Sequence, residues 1–200
     1  MAAPATALLI LAGPAGVGKS TLCDRLVREV PGFERVITAT TRPPRPNEQH
    51  GRDYHFLSEA EFDAKLAAGE FLEWAWVHRK HRYGTLKSAV LGRLPATSLV
   101  MNIDVQGVRS IRAAARGLPL LKPRLVTIFV APDSMDVLRE RLQGRGPVSP
   151  EELERRLQSA ELELAERNGY DYVIHSRTKE QDFRALLDYW ARAQAKLTAR

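Results

Sequence analysis

The sequence predicts an α/β fold in which helices flank a mainly parallel central sheet. Short, mainly apolar runs at residues 7–12, 98–103 and 125–130 have the length and composition of strands that are buried on both faces, and the first run is unbroken. Segments with capping signals or helical spacing of apolar residues alternate with such runs. Because strands that alternate with helices build crossover units, the alternation favours a parallel sheet.

The remaining elements follow from local signals along the chain. Apolar or β-branched segments predict strands at residues 7–12, 36–41, 71–77, 98–103, 125–130 and 172–174. Capping residues or apolar residues at helical spacing predict helices from the first glycine-rich loop to residue 30, from 58 to 66, from Asp133 or Ser134 to 142, from 149 onward, and over 183–197. We expect one domain over residues 1–200, with a core (1–34, 96–133 and 168–200), an inserted lobe (about 35–95) and a helical, arginine-rich, mobile lid (about 134–167).

Composition narrows the class of protein. The chain is 44% hydrophobic and 27% charged, which is ordinary for a globular protein. No apolar run approaches the length of a membrane span, and residues 1–11 lack the basic start of a secretory signal. A single cysteine, Cys23, excludes an intramolecular disulfide. We therefore expect a cytoplasmic protein without a membrane partner. The net charge of +6 favours polyanionic ligands but does not choose between nucleic acid and nucleotides.

The most informative segment is Gly13-Pro14-Ala15-Gly16-Val17-Gly18-Lys19-Ser20, followed by Thr21. Two glycines and a Lys-Ser pair at this spacing are typical of a loop whose backbone N–H groups surround a phosphate. Lys19 adds a positive charge, and the hydroxyl of Ser20 can ligate Mg²⁺. The apolar run before the loop and the helical pattern after it supply the required context. The alternative is a glycine-rich turn without a function.

A second cationic segment, Thr41-Arg42-Pro43-Pro44-Arg45-Pro46, follows the second predicted strand. Its prolines favour an extended backbone with three residues per turn, so Arg42 and Arg45 project from the same face. Two guanidinium groups on one rigid segment make a good clamp for a phosphate. An exposed proline-rich turn is an equally weighted alternative. The phenol of Tyr54 can donate to the same phosphate, although packing is the simpler interpretation of an aromatic residue there.

Two acidic residues lie within or directly after a predicted apolar strand, where a carboxylate is unusual. Glu73 sits between Leu72 and Trp74, and a buried acid is costly unless it meets a donor. Guanine presents N1–H and N2–H₂ side by side, so Glu73 is a candidate base reader; the alternative is an ion-paired rim residue. Asp104 ends the strand at 98–103, where an acid can orient Mg²⁺ or its water shell. Asp104 can also cap the following helix, and both roles are compatible.

The arginines of the predicted lid are candidates for stabilising a transferring phosphate. Arg141 and Arg145 are four residues apart and share a helical face if the helix reaches Arg145. A closing lid can bring such arginines onto the charge that develops during phosphoryl transfer. The alternative is a solvated face with ion pairs to neighbouring glutamates, which we favour for Arg139 and Arg155.

Taken together, these segments resemble the guanylate kinase family. The residues that carry the resemblance are GPAGVGKST (13–21), TTRPPRPNEQHGRDYHF (40–56), EFLEWAWVH (70–78), YGT (83–85), IDVQG (103–107), FVAPDSMDVLRERLQGRG (129–146) and ERRL (154–157). Their order and most spacings fit the family and span nearly the whole chain. The segments at 40–45 and 70–74 are far more specific than the phosphate loop.

The resemblance implies a P-loop kinase that transfers phosphate from ATP to GMP, and in our expectation also to dGMP, with Mg²⁺. It assigns residues 13–21 to ATP, and it assigns the acceptor GMP to Thr38, Arg42, Arg45, Tyr54, Glu73, Tyr83, Thr85 and Asp104. Catalysis would rest on Lys19, Arg42, Arg141, Arg145 and Arg156, and the metal on Ser20 and, through water, Asp104. No nucleic-acid partner is expected, because the cationic residues gather around one loop. We expect a monomer or homodimer.

The chain departs from the family pattern at Asn102, at Trp76, over residues 79–82, and at His175-Ser176-Arg177, which replaces an Asn-Asp pair. These departures keep two alternatives open. One is a kinase of the same fold that acts on another phosphorylated acceptor, and the other is a non-catalytic binding module with a guanylate-kinase-like domain.

Overall fold

The computed structural model describes residues 5–77, 80–144 and 148–199. Its strands are β1 (Leu8–Ala12), β2 (Phe33–Arg35), β3 (Ala39–Thr40), β4 (His55–Phe56), β5 (Phe71–Val77), β6 (His81–Leu86), β7 (Ser98–Asn102), β8 (Leu125–Pro132) and β9 (Tyr172–Ser176). Its α-helices are α1 (Lys19–Glu29), α2 (Glu59–Ala67), α3 (Lys87–Leu91), α4 (Val105–Ala115), α5 (Met135–Gln143), α6 (Pro150–Ala165) and α7 (Lys179–Thr198). Within these ranges, no helix has both the length and the apolar character that a membrane span requires.

The central sheet has the strand order β2-β7-β1-β8-β9, and every pairing in it is parallel. β1 lies in the middle, where Leu8 pairs with Leu99 on one side and with Leu125 on the other. All five residues of β1 are buried, as a strand covered on both faces requires. The predicted α/β fold with a parallel central sheet is therefore confirmed.

The two faces of this sheet carry separate apolar clusters. Leu9 and Leu11 point to one face, where they pack in a cluster with Leu26 of α1 and Phe183 of α7. Leu8 and Ile10 point to the other face and share a cluster with residues of α4. The alternation follows from the two-residue period of a strand. Helices thus cover both faces and leave the edges of the sheet for loops.

A second, four-stranded sheet has the order β4-β3-β6-β5 and forms the middle of the chain. β6 runs antiparallel to both of its neighbours, and β3 and β4 are parallel. Helix α2 covers one face through Phe62, whose ring stacks on Phe71 at a centroid distance of 4.3 Å. Leu72 joins the α4 side of the main core, so β5 anchors this sheet to the central one.

The predicted strand at 36–41 is wrong in its extent. Within this segment only Ala39–Thr40 forms a strand, β3 of the second sheet, while β2 of the central sheet ends earlier, at Arg35. Residues 36–38 cross from one sheet to the other, which no local pattern reveals. β6 was not predicted because it contains Gly84, a poor strand residue. A Cβ at Gly84 would lie 2.7 Å from Cδ1 of Phe71, so close strand packing requires glycine there.

Most helix starts are where the capping signals predict them. The hydroxyl of Ser134, not Asp133, accepts from the backbone N–H of Val137 and begins α5. Ser149 caps α6 in the same way through Glu152, with Pro150 in the first turn. α6 then docks on the core through its buried face, which includes Leu157, while Leu162 on the same helix is 74% exposed.

This docking predicts different costs for two identical substitutions in α6. Leu157→Ala removes buried side-chain atoms and should lower the free energy of unfolding by about 2–5 kcal/mol. Leu162→Ala, the matched control, should change it by no more than about 0.5 kcal/mol. Urea unfolding followed by circular dichroism measures both. Equal effects of the two substitutions would contradict the docking of α6 described above.

Candidate functional site

The loop between β1 and α1 begins with a glycine that no other residue can replace. Gly13 has φ +127°, and a Cβ there would lie 2.3 Å from the carbonyl oxygen of Val130 in β8. Gly16 and Gly18 also have positive φ, and Gly18 caps α1 without a side chain. The turn therefore packs directly on the central sheet and leaves the first N–H groups of α1 oriented toward the loop.

Lys19 folds back over this loop. Its ammonium donates to the carbonyl oxygens of Gly13 at 2.5 Å and Pro14 at 2.8 Å. Ser20 and Thr21 follow it in the first turn of α1, where both are exposed. The loop thus presents a lysine, a hydroxyl pair and a helix N-terminus together, which is the arrangement that binds nucleotide phosphates.

A cleft of about 320 Å³ separates the loop from the second sheet, and it collects most of the predicted acceptor residues. Of the predicted acceptor residues, Arg42, Arg45 and Thr85 are not part of its lining. The residues that line it are Thr38, Tyr54, Glu73, Tyr83 and Asp104, together with Lys19 of the phosphate loop. They come from six different segments, between residues 19 and 104, that only the fold brings together. Asn102 lines the same cleft, and its side-chain oxygen accepts from Arg35 at 2.6 Å.

Glu73 is the buried carboxylate of this cleft. It is 8% exposed, and its Oε1 accepts from the hydroxyl of Thr85 at 2.6 Å across the β5–β6 pair. Burial raises the pKa of Glu73 to about 7, the Asp104 carboxylate adds to this rise, and the Thr85 hydroxyl opposes it. A carboxylate held in this way lacks solvent and is suited to accept hydrogen bonds from a ligand.

Arg42 does not line the cleft itself but contacts Tyr83, which does. Its Nε donates to the hydroxyl of Tyr83 at 3.1 Å, and its Nη2 forms an ion pair with Glu48 at 2.9 Å. The rings of Tyr54 and Tyr83 meet edge to face, at 5.8 Å between centroids. Arg45 is exposed, and its backbone N–H donates to Glu48. Glu48 therefore positions the arginine segment from one side.

Asp104 performs the capping role, and it also lies in the cleft. Its Oδ1 accepts from the backbone N–H of Gly107 at 2.8 Å and so begins α4. The residue is otherwise exposed and lines the cleft opposite Lys19. Its exposed carboxylate is the type of oxygen ligand that Mg²⁺ takes in kinases alongside substrate phosphates.

The predicted lid arginines separate into two places. Arg141 lines a cavity of about 730 Å³ beside Gly18 and Thr21, away from the acceptor cleft. Arg156 lines a different opening of about 530 Å³, which it shares with Asp104, and its Nε donates to Glu152 at 2.9 Å. Arg139 and Arg155 are exposed and contact glutamates, in agreement with the solvated face expected for them. Arg145 lies outside the described residues.

Glu163 is a further residue of the site that was not predicted from the sequence. This residue of α6 lines both the acceptor cleft and the opening beside Arg156. Burial raises its pKa to about 7, with Lys19 opposing the rise, and its Oε2 is buried without a hydrogen-bond partner among the described residues. The sequence does contain a signal for its position, because Glu163 follows Arg156 by two helical turns and so lies on the same face of the helix as this candidate residue.

The departures at Trp76 and Arg82 form one structural unit. The two residues pair across β5 and β6, and the Arg82 guanidinium lies 5.4 Å from the Trp76 ring and 4.6 Å from that of Phe62. Arg82 also forms ion pairs with Glu59 and Asp63 of α2. Arg82 therefore holds α2 against the second sheet, and the cleft is lined by its neighbours Tyr83 and Gly84.

A phosphate loop at the carboxyl end of the middle strand of a parallel sheet faces a second sheet that carries a buried carboxylate. This arrangement is typical of a P-loop nucleotide kinase. A sequence profile described as guanylate kinase matches residues 5–192. A guanylate kinase of Streptomyces coelicolor is 43% identical over 181 residues, covering 90% of this chain and 88% of its own. One of Gloeobacter violaceus is 42% identical and covers 86% and 80%, respectively. The chain belongs to the guanylate kinase family.

Solved structures agree with this assignment. The crystal structure of guanylate kinase from Anaplasma phagocytophilum is 25% identical, covers 96% of this chain and 88% of its own, and superimposes with a TM-score of 0.73. A gluconokinase from Sinorhizobium meliloti, at 19% identity and a TM-score of 0.51, shares the fold alone.

The environment of Glu73 predicts that this residue lowers the stability of the ligand-free protein. Its carboxyl is protonated in both states well below pH 4.5. Between about pH 4.5 and 7 the unfolded state ionises while the folded carboxyl keeps its proton, so the destabilisation grows over this range and levels off above pH 7. Glu73→Gln should therefore be more stable than the wild type by about 1–3 kcal/mol at pH 8 and nearly equal to it at pH 4.5. Urea unfolding at both pH values measures this.

Glu70→Gln supplies the control, because Glu70 is exposed on the same segment and pairs with Lys65. It should show no gain at pH 8. A Glu73→Gln protein no more stable than the wild type at pH 8 would contradict the burial argument.

Proposed function

We propose that this protein transfers the γ-phosphate of ATP to GMP, and also to dGMP, yielding ADP and GDP or dGDP. The observation that carries the proposal is the 320 Å³ cleft, which has Glu73 and Lys19 on its walls, with Thr85 donating to Glu73 from behind. A carboxylate that can accept hydrogen bonds from a base, Glu73, and a cation that can bind phosphate, Lys19, line one small cleft, which fits a nucleoside monophosphate. Membership in the guanylate kinase family supports the same acceptor.

The donor phosphates bind on residues 13–21. The backbone N–H groups of the loop and the N-terminus of α1 surround them, and Lys19 exchanges its contacts with Gly13 and Pro14 for phosphate oxygens. Ser20, and Asp104 through water, would hold Mg²⁺, which would supply positive charge to offset that of the donor phosphates.

The acceptor binds across the cleft. Glu73 accepts from N1–H and N2–H₂ of guanine, with the hydroxyls of Thr38 and Thr85 beside it. Adenine has a lone pair at N1 and is repelled by the same carboxylate. Arg42, Arg45, Tyr54 and Tyr83 bind the phosphate of GMP, and the Arg42–Tyr83 hydrogen bond orients two of these donors in advance.

The chemical step requires no general base, because the attacking oxygen belongs to an ionised phosphate. Catalysis then consists of holding donor and acceptor in line and neutralising the charge that develops between them. Lys19 and Arg42 do so from the core side and the lobe side. Arg145 and Arg156 contribute when the segment at about 134–167 closes as a lid. Arg141, which lines the cavity beside Gly18 and Thr21, acts on the donor nucleotide.

The assay that tests the proposal follows ADP release with ATP, Mg²⁺ and a panel of GMP, dGMP, AMP, UMP, CMP and ribose phosphates. GMP and dGMP should give turnover, and Lys19→Ala should lower kcat at least about 100-fold, because it removes a charge from the transferring phosphates. Lys122→Ala is the matched control and should leave turnover unchanged, because Lys122 is exposed and lines none of the three cavities described above. No turnover with GMP would contradict the proposal.

The role of Glu73 predicts a change in base selectivity. Glu73→Gln offers one acceptor and one donor group, so its kcat/KM for GMP should fall about 100-fold, while kcat/KM for AMP should rise or stay level. In the wild type, the KM for GMP should decrease as pH rises through about 7, since the buried carboxyl must ionise to accept both hydrogen bonds. Glu70→Gln is the control. Retention of the full preference for GMP over AMP in Glu73→Gln would exclude this role.

A further inference from the structure

The three-residue segment that departs from the family pattern, His175-Ser176-Arg177, contacts Arg141. The Nη1 of Arg141 donates to the hydroxyl oxygen of Ser176 at 3.0 Å, and its Nη2 donates to the carbonyl oxygen of Arg177 at 3.1 Å. Two separate nitrogens of one guanidinium are thus held by adjacent residues at the end of β9. This fixes the plane of the group as well as its position.

Asp182 completes the arrangement from the first turn of α7. The hydroxyl of Ser176 donates to Oδ2 of Asp182 at 2.7 Å, and the backbone N–H of Arg177 donates to Oδ1 at 2.7 Å. Each carboxylate oxygen therefore has its own partner. The Ser176 hydroxyl donates its single proton to the carboxylate, which leaves its lone pairs for Arg141.

Both supporting residues are buried. Ser176 is 1% exposed and Asp182 is 7% exposed, whereas Arg177 is exposed. A carboxylate at this depth is costly unless its oxygens are satisfied, and here both are satisfied by the segment that holds Arg141. The Ser176 hydroxyl also lies 3.3 Å from the carbonyl oxygen of Val17 in the phosphate loop. The group is therefore built into the region where α1, β9 and α7 meet.

The Arg141 guanidinium that this arrangement holds borders the cavity of about 730 Å³ next to the phosphate loop. Gly18 and Thr21 line the same cavity on the loop side. Arg177 and Asp182 line it with Arg141 on the other side. The acceptor cleft is a separate space, because its lining includes none of these five residues.

We propose that Ser176 and Asp182 are positioning residues for the donor nucleotide. They hold Arg141 as one wall of the 730 Å³ cavity, and the nucleoside part of the donor lies against that wall while its phosphates occupy the loop. The inference rests on the proposed function for the direction of transfer. It goes further by assigning donor affinity to two buried residues that do not themselves contact the reacting phosphates.

The test compares steady-state kinetics of Ser176→Ala and Asp182→Asn with the wild type. Each should raise the KM for ATP about 5- to 20-fold, with kcat within about 3-fold and the KM for GMP within about 2-fold, because a contact made equally in the ground state and the transition state affects KM alone. Asp188→Asn is the matched control, since Asp188 is an exposed residue of the same helix and undergoes the same chemical change. It should match the wild type.

A double-mutant cycle separates positioning from a general effect on folding. If Ser176 acts through Arg141, then Arg141→Ala with Ser176→Ala should have the same KM for ATP as Arg141→Ala alone, within about 2-fold. Additive effects, or equal rises in the KM values for ATP and GMP, would overturn the proposal. Ser176→Ala retains the Asp182–Arg177 hydrogen bond, so it serves as the test if Asp182→Asn does not fold.

Binding of ADP alone, measured by calorimetry without an acceptor, keeps this inference separate from the proposed function. Ser176→Ala should weaken ADP binding by the same factor as it raises the KM for ATP. A wild type that binds ADP but does not turn over GMP would contradict the proposed function, and the ADP affinities of the variants would still decide the role of Ser176. Unchanged ADP affinity in Ser176→Ala would overturn the inference.

Discussion

The close contact between Gly13 and Val130 is the constraint on which the site depends. At 2.3 Å from the Val130 carbonyl oxygen, the position of a Cβ is forbidden, so the loop can rest directly on β8 only with glycine. β1 is the middle strand of a parallel sheet, and the loop at its carboxyl end is therefore flanked by the ends of β7 and β8. Asp104, which follows β7, therefore lines the same cleft as Lys19 because of the strand order alone.

The two substrate regions depend on different supports around this fixed loop. The acceptor cleft depends on the second sheet, which Leu72 anchors to the core and which α2 covers through Phe62 and Arg82. The cavity beside Arg141 depends on the end of β9 and the start of α7. A substitution in one support should therefore act on one substrate, which is the physical basis for reading KM values separately.

Local signals in the sequence were sufficient for β1, the phosphate loop and the caps at Ser58 and Ser149, because each is defined by neighbouring residues. Glu73 could be identified because a charge in an apolar strand needs a partner. The assembly of the cleft could not be derived from local patterns, since its walls come from distant segments. The crossing of residues 36–38 from the central sheet to the second sheet and the partners of Arg141 likewise depend on tertiary structure. The domain boundaries, the lid motion, the cytoplasmic location and the oligomeric state stay predictions.

The buried carboxyl groups differ in whether the protein itself satisfies their hydrogen bonds. Glu73 and Glu163 both have pKa values raised to about 7 by burial, and both line the acceptor cleft. Asp182 is buried to a similar degree, but both of its oxygens accept hydrogen bonds within the protein. The contrast separates two uses of a buried acid. Asp182 is satisfied in advance and fixes a neighbouring side chain, whereas burial of Glu73 raises the pKa of its carboxyl and lowers the stability of the ligand-free fold at neutral pH.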